Sequence, residues 1–465
     1  MFFEQIFEEK LAQYAYLIGC QATGEAIIID PMRDIARYDA LAAKHNLKLV
    51  AAAETHIHAD YLSGMRELAE KGVKVYVSDE GDADWKYNWV IGSSYNHQLL
   101  KDGYEFAISN IRFKVLYSPG HTPEHISFMV TDGAATDEPM GILSGDFVFV
   151  GDVGRPDLLE SAAGVEGAME SSAKVLYKSI QRFMELPEYL QMWPGHGAGS
   201  ACGKALGAVP ESTVGYEQRF NGSIRAASSE KQFVDYILDG QPEPPLYFAR
   251  MKRDNKTGPK VLGEIPKPKQ VSISDMIQAE NAVVVDTRGR MDYVQGHING
   301  SIYAPVNKQF NTIVGSYVDD ETDIYLIIEE SKVEEAVTDL IRIGLDKVIG
   351  YATVSDFEAY DGDLEATETI SFADVDSMMP TGNYYLLDVR KKSEFDEGHH
   401  PDAINIAHTR LADRFEEIPR DKPVLVHCKS GARASAAISL LEKEGFDVQY
   451  INDLVDPWLA AKELV

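Results

Sequence analysis

Residues 48–64 read KLVAAAETHIHADYLSG. An apolar run breaks at Glu54 into a polar segment that carries His56, His58 and Asp60. The form is that of a buried strand ending in a loop of metal-ligating side chains. It returns at 113–128, FKVLYSPGHTPEHISF, and at 141–154, GILSGDFVFVGDVG, while PGHGAG at 194–199 adds His196. Each time the unusual polar residues, His121 and Asp146 among them, stand just past an apolar run, where loops held by a rigid sheet collect function. A lone histidine at a strand end is usually structural. Three clusters flanked by glycine and proline are different, because glycine lets backbone approach a site closely. Imidazole and carboxylate together are ordinary ligands for zinc or iron(II).

These loops resemble those of the metallo-β-lactamase superfamily. Its HxHxDH signature stands here as His56-Ile57-His58-Ala59-Asp60-Tyr61, and later motifs of the family match His121, Asp146 and His196. The resemblance covers about residues 1–240 and implies an αββα sandwich. Tyr61 replaces the last histidine of the signature, which serves the second metal in dinuclear hydrolases such as glyoxalase II. One metal is therefore expected. SPGHTPEHISF and GDFVFVGDVGRPDLL look most like the persulfide dioxygenases, in which two histidines and one aspartate hold a single iron(II). Carried over by motif, the ligands are His56, His121 and Asp146, with one Fe(II) per domain. Two neutral imidazoles and one carboxylate leave three positions open for substrate sulfur and dioxygen. A hydrolytic zinc would need one, for water. His58, Asp60 and His196 are then expected to orient the ligands or a water. Arg155 reads either as a partner for an anionic substrate group or as half of a structural salt bridge. Cys202, close behind PGHGAG, reads either as a sulfur relay or redox-sensitive thiol or as a small packed residue.

From 241 to 269 the composition turns to proline, lysine and glycine, which predicts an ordered or semi-rigid linker. Beyond it lies an internal repeat. VVVDTRGRMDYVQGHINGSIYAP begins at Val283 and LLDVRKKSEFDEGHHPDAINIA at Leu386. Asp286 matches Asp388, Arg288 matches Arg390, Gly296 matches Gly398 and His297 matches His399, each pair 102 residues apart. A period that long fits two copies of one domain, expected at 270–365 and 370–465. Each copy alternates apolar strands with helical stretches, so both are expected to be α/β with mainly parallel sheets.

The second copy contains VLVHCKSGARAS, 424–435. An apolar strand runs into Cys428 and a helix is expected after Arg433. A loop between strand and helix turns several backbone N–H groups inward as an anion nest, here from Lys429, Ser430 and Gly431. The helix dipole adds positive potential, and both effects favour the nucleophilic thiolate. Gly431 permits the tight turn and Arg433 is expected to supply a fixed positive charge. The segment resembles the rhodanese sulfurtransferases, with CKSGAR as their six-residue active loop. The resemblance implies that Cys428 accepts a sulfane sulfur to become Cys–S–SH. In the first copy the strand IYLII leads into Glu329-Glu330-Ser331, and no cysteine lies between Cys202 and Cys428. That copy cannot carry a persulfide and is expected to be a silent rhodanese-like domain, a spacer or docking surface.

With 465 residues the chain is long enough for roughly three domains. Its net charge of −30 argues against nucleic acid or an anionic membrane as partner. Three widely spaced cysteines make a disulfide framework improbable and suit a reducing cytoplasm. No apolar run approaches the roughly 20 residues of a membrane span.

Along nearly its whole length the chain resembles a persulfide dioxygenase–rhodanese fusion. The resemblance implies that a low-molecular-weight thiol persulfide, dioxygen and water give thiol and sulfite at the iron. At Cys428 sulfur is exchanged between persulfide, sulfite and thiosulfate. Two rival readings stand beside it: a zinc thioesterase of the glyoxalase II kind fused to a sulfurtransferase, and a non-catalytic sulfur carrier. A homo-oligomer is the default assembly.

Overall fold

The strand Gln13–Cys20 is buried along its whole length. Alternate residues face opposite ways: Tyr14, Tyr16, Ile18 and Cys20 enter one apolar core and Ala15 and Leu17 another. A sheet covered on both faces produces such unbroken apolar runs. The computed structural model describes residues 1–161, 167–204 and 206–464. Residues 1–264 form one compact unit and 265–465 a second.

In the first unit two six-stranded sheets share a core made of Ile27, Ile29 and Ala53 from one and Phe113, Phe128 and Leu143 from the other. Helices Ala36–Lys44 and Met65–Glu70 cover the outer face of the first sheet through Tyr38, Ala42, Met65 and Leu68. Helices Ala168–Phe183 and Glu230–Leu238 cover the second through Leu176, Ile180, Phe233 and Ile237. This is the expected αββα sandwich.

The stretch 241–269, expected as a linker, departs from that reading. It contains the helix Phe248–Thr257, and its chain to Glu264 belongs to the first unit. Glu67 accepts from the amides of Leu262 and Gly263 at 2.6 and 3.1 Å. Arg66 Nη1 donates to the carbonyls of Gly258 and Pro259, both at 2.9 Å. Composition marks a break in pattern here, but the buried Glu67 and the half-buried Arg66 turn it into a strap.

The second unit holds two five-stranded sheets with one topology. In the first the spatial order is Lys269–Gln270, Val348–Thr353, Asp323–Ile328, Ala282–Asp286, Ile302–Tyr303; in the second it is Glu368–Ile370, Val448–Ile451, Val424–His427, Tyr385–Asp388, Ala403–Asn405. All pairings are parallel. The repeat residues explain why they recur. Arg288 forks onto Asp286 and donates to Gly296 O at 2.7 Å, and Arg390 does the same with Asp388 and Gly398 O at 2.8 Å. Each fork ties a strand end to the end of the helix that follows. Among the described residues no helix is long and apolar enough to cross a membrane.

Candidate functional site

In the first unit the four loops meet at one end of the two sheets. His56 follows the strand Lys48–Ala53, His121 lies between Ile111–Tyr117 and Ile126–Asp132, Asp146 follows Gly141–Gly145 and His196 follows Gln191–Pro194. One ligand atom each of His56, His121 and Asp146 lies within 4.8 Å of the others, and all three residues are buried. His56 Nε2 and His121 Nε2 stand 3.8 and 3.5 Å from Asp146 Oδ2. Two ligands about 2.1 Å from one ion sit roughly 3–3.5 Å apart, so the spacing is close to that of a coordination shell.

The hydrogen bonds fix which nitrogen faces inward. Thr55 Oγ1 donates to Asp30 Oδ2 at 3.0 Å and therefore accepts from His56 Nδ1 at 2.9 Å. His121 Nδ1 donates to the Arg155 carbonyl at 2.9 Å. Both Nε2 atoms thus present lone pairs to a carboxylate whose two oxygens are buried without a hydrogen-bond partner. Lone pairs and an anion facing one another repel unless a cation lies between them. Burial lowers the basicity of both imidazoles, and the neighbouring imidazoles lower that of His56 further. Neutral imidazole is the form that binds metal. The donor set fits a divalent metal.

His58, though one residue removed in the HxH pattern, plays another part. Burial works against its charge, but the Asp30 carboxylate, 3.3 Å from Nε2, outweighs it and raises the imidazole to about 9. Its Nε2 is thus committed to Asp30, while its Nδ1 is buried without a hydrogen-bond partner. The Tyr61 ring stacks on the His58 ring at 4.4 Å, and the Tyr61 hydroxyl donates to Asp30 O and accepts from Gln13. His196 Nε2 lies 3.3 Å from Asp60 Oδ2 and 3.5 Å from Asp146 Oδ2. Asp60, His196 and Cys202 form a second group with ligand atoms within 4.8 Å of one another. Burial, reinforced by Asp60 and Asp146, pushes the Cys202 thiol well above its usual range, so Cys202 is a buried thiol.

Arg155 does not stand ready for a substrate anion. It is 1% exposed and bidentate to Asp157 at 2.8 and 2.6 Å, with Nη1 on the Ala201 carbonyl. Of its two sequence readings the structure shows the salt bridge, and its backbone positions His121. Sequence reasoning assigned no role to Asp30, which ends the run EAIIID as Asp146 ends its own, nor to His125. His125 Nε2 accepts from the Asp146 amide at 3.0 Å. Glu124 accepts from the Ile57 amide at 2.7 Å, tying two metal loops together. Burial raises the Glu124 carboxyl to about 7. The glycine of PGH is a matter of space: a Cβ on Gly195 would lie 2.4 Å from Asp146 Oδ1. Asn255, from the strap, donates to His58 O and Tyr61 O at 2.8 and 2.7 Å and accepts from Ser63 N at 2.9 Å.

In the second unit Cys428 follows the strand Val424–His427, and four residues separate that strand from the helix Ala432–Lys443. Every carbonyl of the loop has a partner. Cys428 O meets His427 Nδ1, Lys429 O accepts from Val455 N, Ser430 O from Arg290 and Gly431 O from Tyr450. The amides of Lys429, Ser430 and Gly431 donate to no group among the described residues. That is the anion nest expected of the loop. Gly431 has φ +88°, a conformation other residues adopt only with strain. The expectation for Arg433 needs correction: its guanidinium is bidentate to Glu394, so a carboxylate matches its charge. Lys429 likewise reaches Asp456 at 3.3 Å. In the first copy four residues also separate the strand Asp323–Ile328 from the helix Val333–Arg342, and Glu329 stands where Cys428 does.

Residues 9–196 match the metallo-beta-lactamase superfamily, and residues 270–361 and 371–461 each match the rhodanese-like domain. A metallo-beta-lactamase structure from Staphylococcus aureus subsp. aureus COL is 41% identical, covering 76% of this chain and 98% of that one with a TM-score of 0.68. The mitochondrial persulfide dioxygenase ETHE1 of Bos taurus is 28% identical over 41% of this chain and 66% of its own length. A beta-lactamase hydrolase-like protein of Agrobacterium fabrum is 30% identical over 49% of this chain and 53% of its own. The chain thus spans between half and two thirds of the length of these two curated relatives. The sandwich, the ligand-bearing strand ends and the 41% identity agree: the chain belongs to the metallo-beta-lactamase superfamily, and two rhodanese-like domains follow its sandwich.

Proposed function

We propose that the chain is a persulfide dioxygenase joined to a rhodanese sulfurtransferase, working on low-molecular-weight thiol persulfides in the cytoplasm. The observation that carries the reading is the buried Asp146 carboxylate, unpartnered and faced by the lone pairs of His56 and His121. Two imidazoles and one carboxylate are the donors of mononuclear iron(II) oxygenases. Bound there, iron(II) would supply the one-electron chemistry that lets dioxygen react with a persulfide sulfur. The balance is RSSH + O2 + H2O → RSH + SO3²⁻ + 2 H⁺, in which the outer sulfur is oxidised and dioxygen is reduced. Around the metal, Thr55 and the Arg155 carbonyl hold the two imidazoles with Nε2 inward, and Gly195 leaves room beside Asp146. The likeness to persulfide dioxygenase ETHE1 supports this choice within the superfamily.

At the second site Cys428 takes a sulfane sulfur, and the free amides of 429–431 receive the anion that brings or removes it. Sulfite and thiosulfate are then a product and substrate pair, and we favour net formation of thiosulfate.

One observation favours a second reading. Asp60, His196 and Cys202 form a donor group beside the first, as a two-metal zinc hydrolase would need. Metal analysis separates the two: one iron per chain supports the dioxygenase and two zinc ions the hydrolase. Asp146→Ala should abolish iron binding and persulfide-dependent oxygen uptake together; a variant that keeps both would remove Asp146 from the site.

A further inference from the structure

The cysteine-free rhodanese domain reaches into the active loop of its neighbour. Arg290, first residue of the helix Arg290–Gln295, donates from Nη1 to the carbonyl of Ser430 at 2.9 Å. The same nitrogen would lie 2.9 Å from a Cβ on Gly431. The next residue, Met291, accepts through Sδ from Asn452 Nδ2, and Asn452 Oδ1 accepts from the Tyr450 hydroxyl that also holds Gly431 O. Tyr450 lies in the field of both Arg290 and Cys428. Behind the loop, Ser439 of the helix Ala432–Lys443 accepts from the Tyr303 amide at 2.9 Å.

Charge makes this contact more than a clamp. Arg433 is forked onto Glu394 and Lys429 is paired with Asp456. Among the described residues Arg290 meets a carbonyl at the loop and no carboxylate. A carbonyl fixes the guanidinium without cancelling its charge. The transfer needs such a charge. A Cys428 thiolate attacks the outer sulfur of thiosulfate, the Sγ–S bond forms, the S–SO3 bond breaks, and its electron pair leaves on sulfite: Cys–S⁻ + S2O3²⁻ → Cys–S–S⁻ + SO3²⁻. Three negative charges converge at the start and at the end, and their repulsion opposes approach unless a cation offsets it.

We propose that Arg290, supplied by the silent domain, positions the Cys428 loop and binds the anionic sulfur substrate there. This rests on reading Cys428 as a sulfurtransferase nucleophile. The silent domain is then a working wall of the transferase site.

The test uses the full chain, thiosulfate as donor and cyanide as acceptor, with kcat and KM measured separately. Arg290→Ala should raise the KM for thiosulfate by about ten- to hundredfold, the worth of a charge-assisted contact. It should also flatten the dependence of kcat/KM on ionic strength. Arg290→Lys keeps the charge and should bring KM back to within about threefold of the parent. An unchanged KM in Arg290→Ala overturns the proposal. So does a KM raised equally in both variants with an unaltered salt dependence, because that pattern belongs to packing alone. A parent chain that moves no sulfur from thiosulfate to cyanide sinks the transferase reading itself, and the inference with it.

Discussion

Removing the Asn255 side chain should loosen the metal loop from a distance of almost 200 residues. Its amide holds Ser63 N, His58 O and Tyr61 O, partners 192, 197 and 194 residues away, and Asn255 is 2% exposed. Asn255→Ala leaves one donor and two acceptors of a buried loop without partners. Each such group costs about 1–3 kcal/mol when no water replaces the bond. Three such groups total about 3–9 kcal/mol; a loss toward the lower end, about 4 kcal/mol, already suffices for a clear shift, since in a unit of this size each kcal/mol moves the melting midpoint by about 2 °C. The first unit should therefore melt about 8 °C lower. The loop carries His56, so iron content after anaerobic loading should fall as well. Asn255→Asp keeps the shape and the acceptor but loses both donors and sets a carboxylate against two carbonyls, so it should lose as much. Calorimetry and metal analysis on the full chain are the assays. An Asn255→Ala variant that melts within 2 °C of the parent and holds full iron would refute the idea that the strap supports the metal loop.

Three further outcomes are expected. Gly431→Ala forces a side chain into φ +88° with its Cβ 2.4 Å from the Tyr450 hydroxyl; sulfur transfer from thiosulfate should drop at least tenfold while oxygen uptake stays, and a normal transfer rate would count against the loop geometry. Cys428→Ser should leave oxygen uptake intact and replace thiosulfate by sulfite as product; unchanged thiosulfate, read by ion chromatography, would dismiss the loop as the transferase. Burial raises the Glu442 carboxyl from 4.5 to about 7, so its protonated form stabilises the fold fully below about pH 4.5. That contribution falls as pH climbs and is gone above about 7, a loss of roughly 3 kcal/mol. Glu442→Gln removes this dependence, so the difference in melting temperature between variant and parent should grow in the variant's favour from pH 5 to 8; parallel curves would contradict it.

The sandwich and the two parallel sheets were legible because buried strands write their period into the chain. Gln13–Cys20 and Asp323–Ile328 are apolar at every position that needs it, and the fork of Arg on Asp repeats with its helix-end glycine. His56, His121 and Asp146 were legible because each stands just past an apolar run, the latter two directly after a glycine. What escaped is what depends on a distant partner. Arg433 looks like a free charge until Glu394, 39 residues earlier, folds onto it. Asn255 sits in a stretch whose composition reads as linker, and its three partners lie far up the chain. Arg155 was half legible: the salt bridge was one of its two readings, and its partner Asp157 stands two residues on in the motif itself. Arg290 had no signal at all: only the docking of the two repeats brings it to Ser430.

The central claim is that a single iron held by His56, His121 and Asp146 oxidises a thiol persulfide. The most direct test is oxygen consumption by protein purified without oxygen and loaded with iron(II), given glutathione persulfide and coenzyme A persulfide in turn. The account predicts uptake that needs iron, saturates with at least one of the two persulfides, and yields one sulfite equivalent per dioxygen when Cys428 is replaced by serine. Iron-bound protein that consumes no oxygen with either persulfide would contradict it.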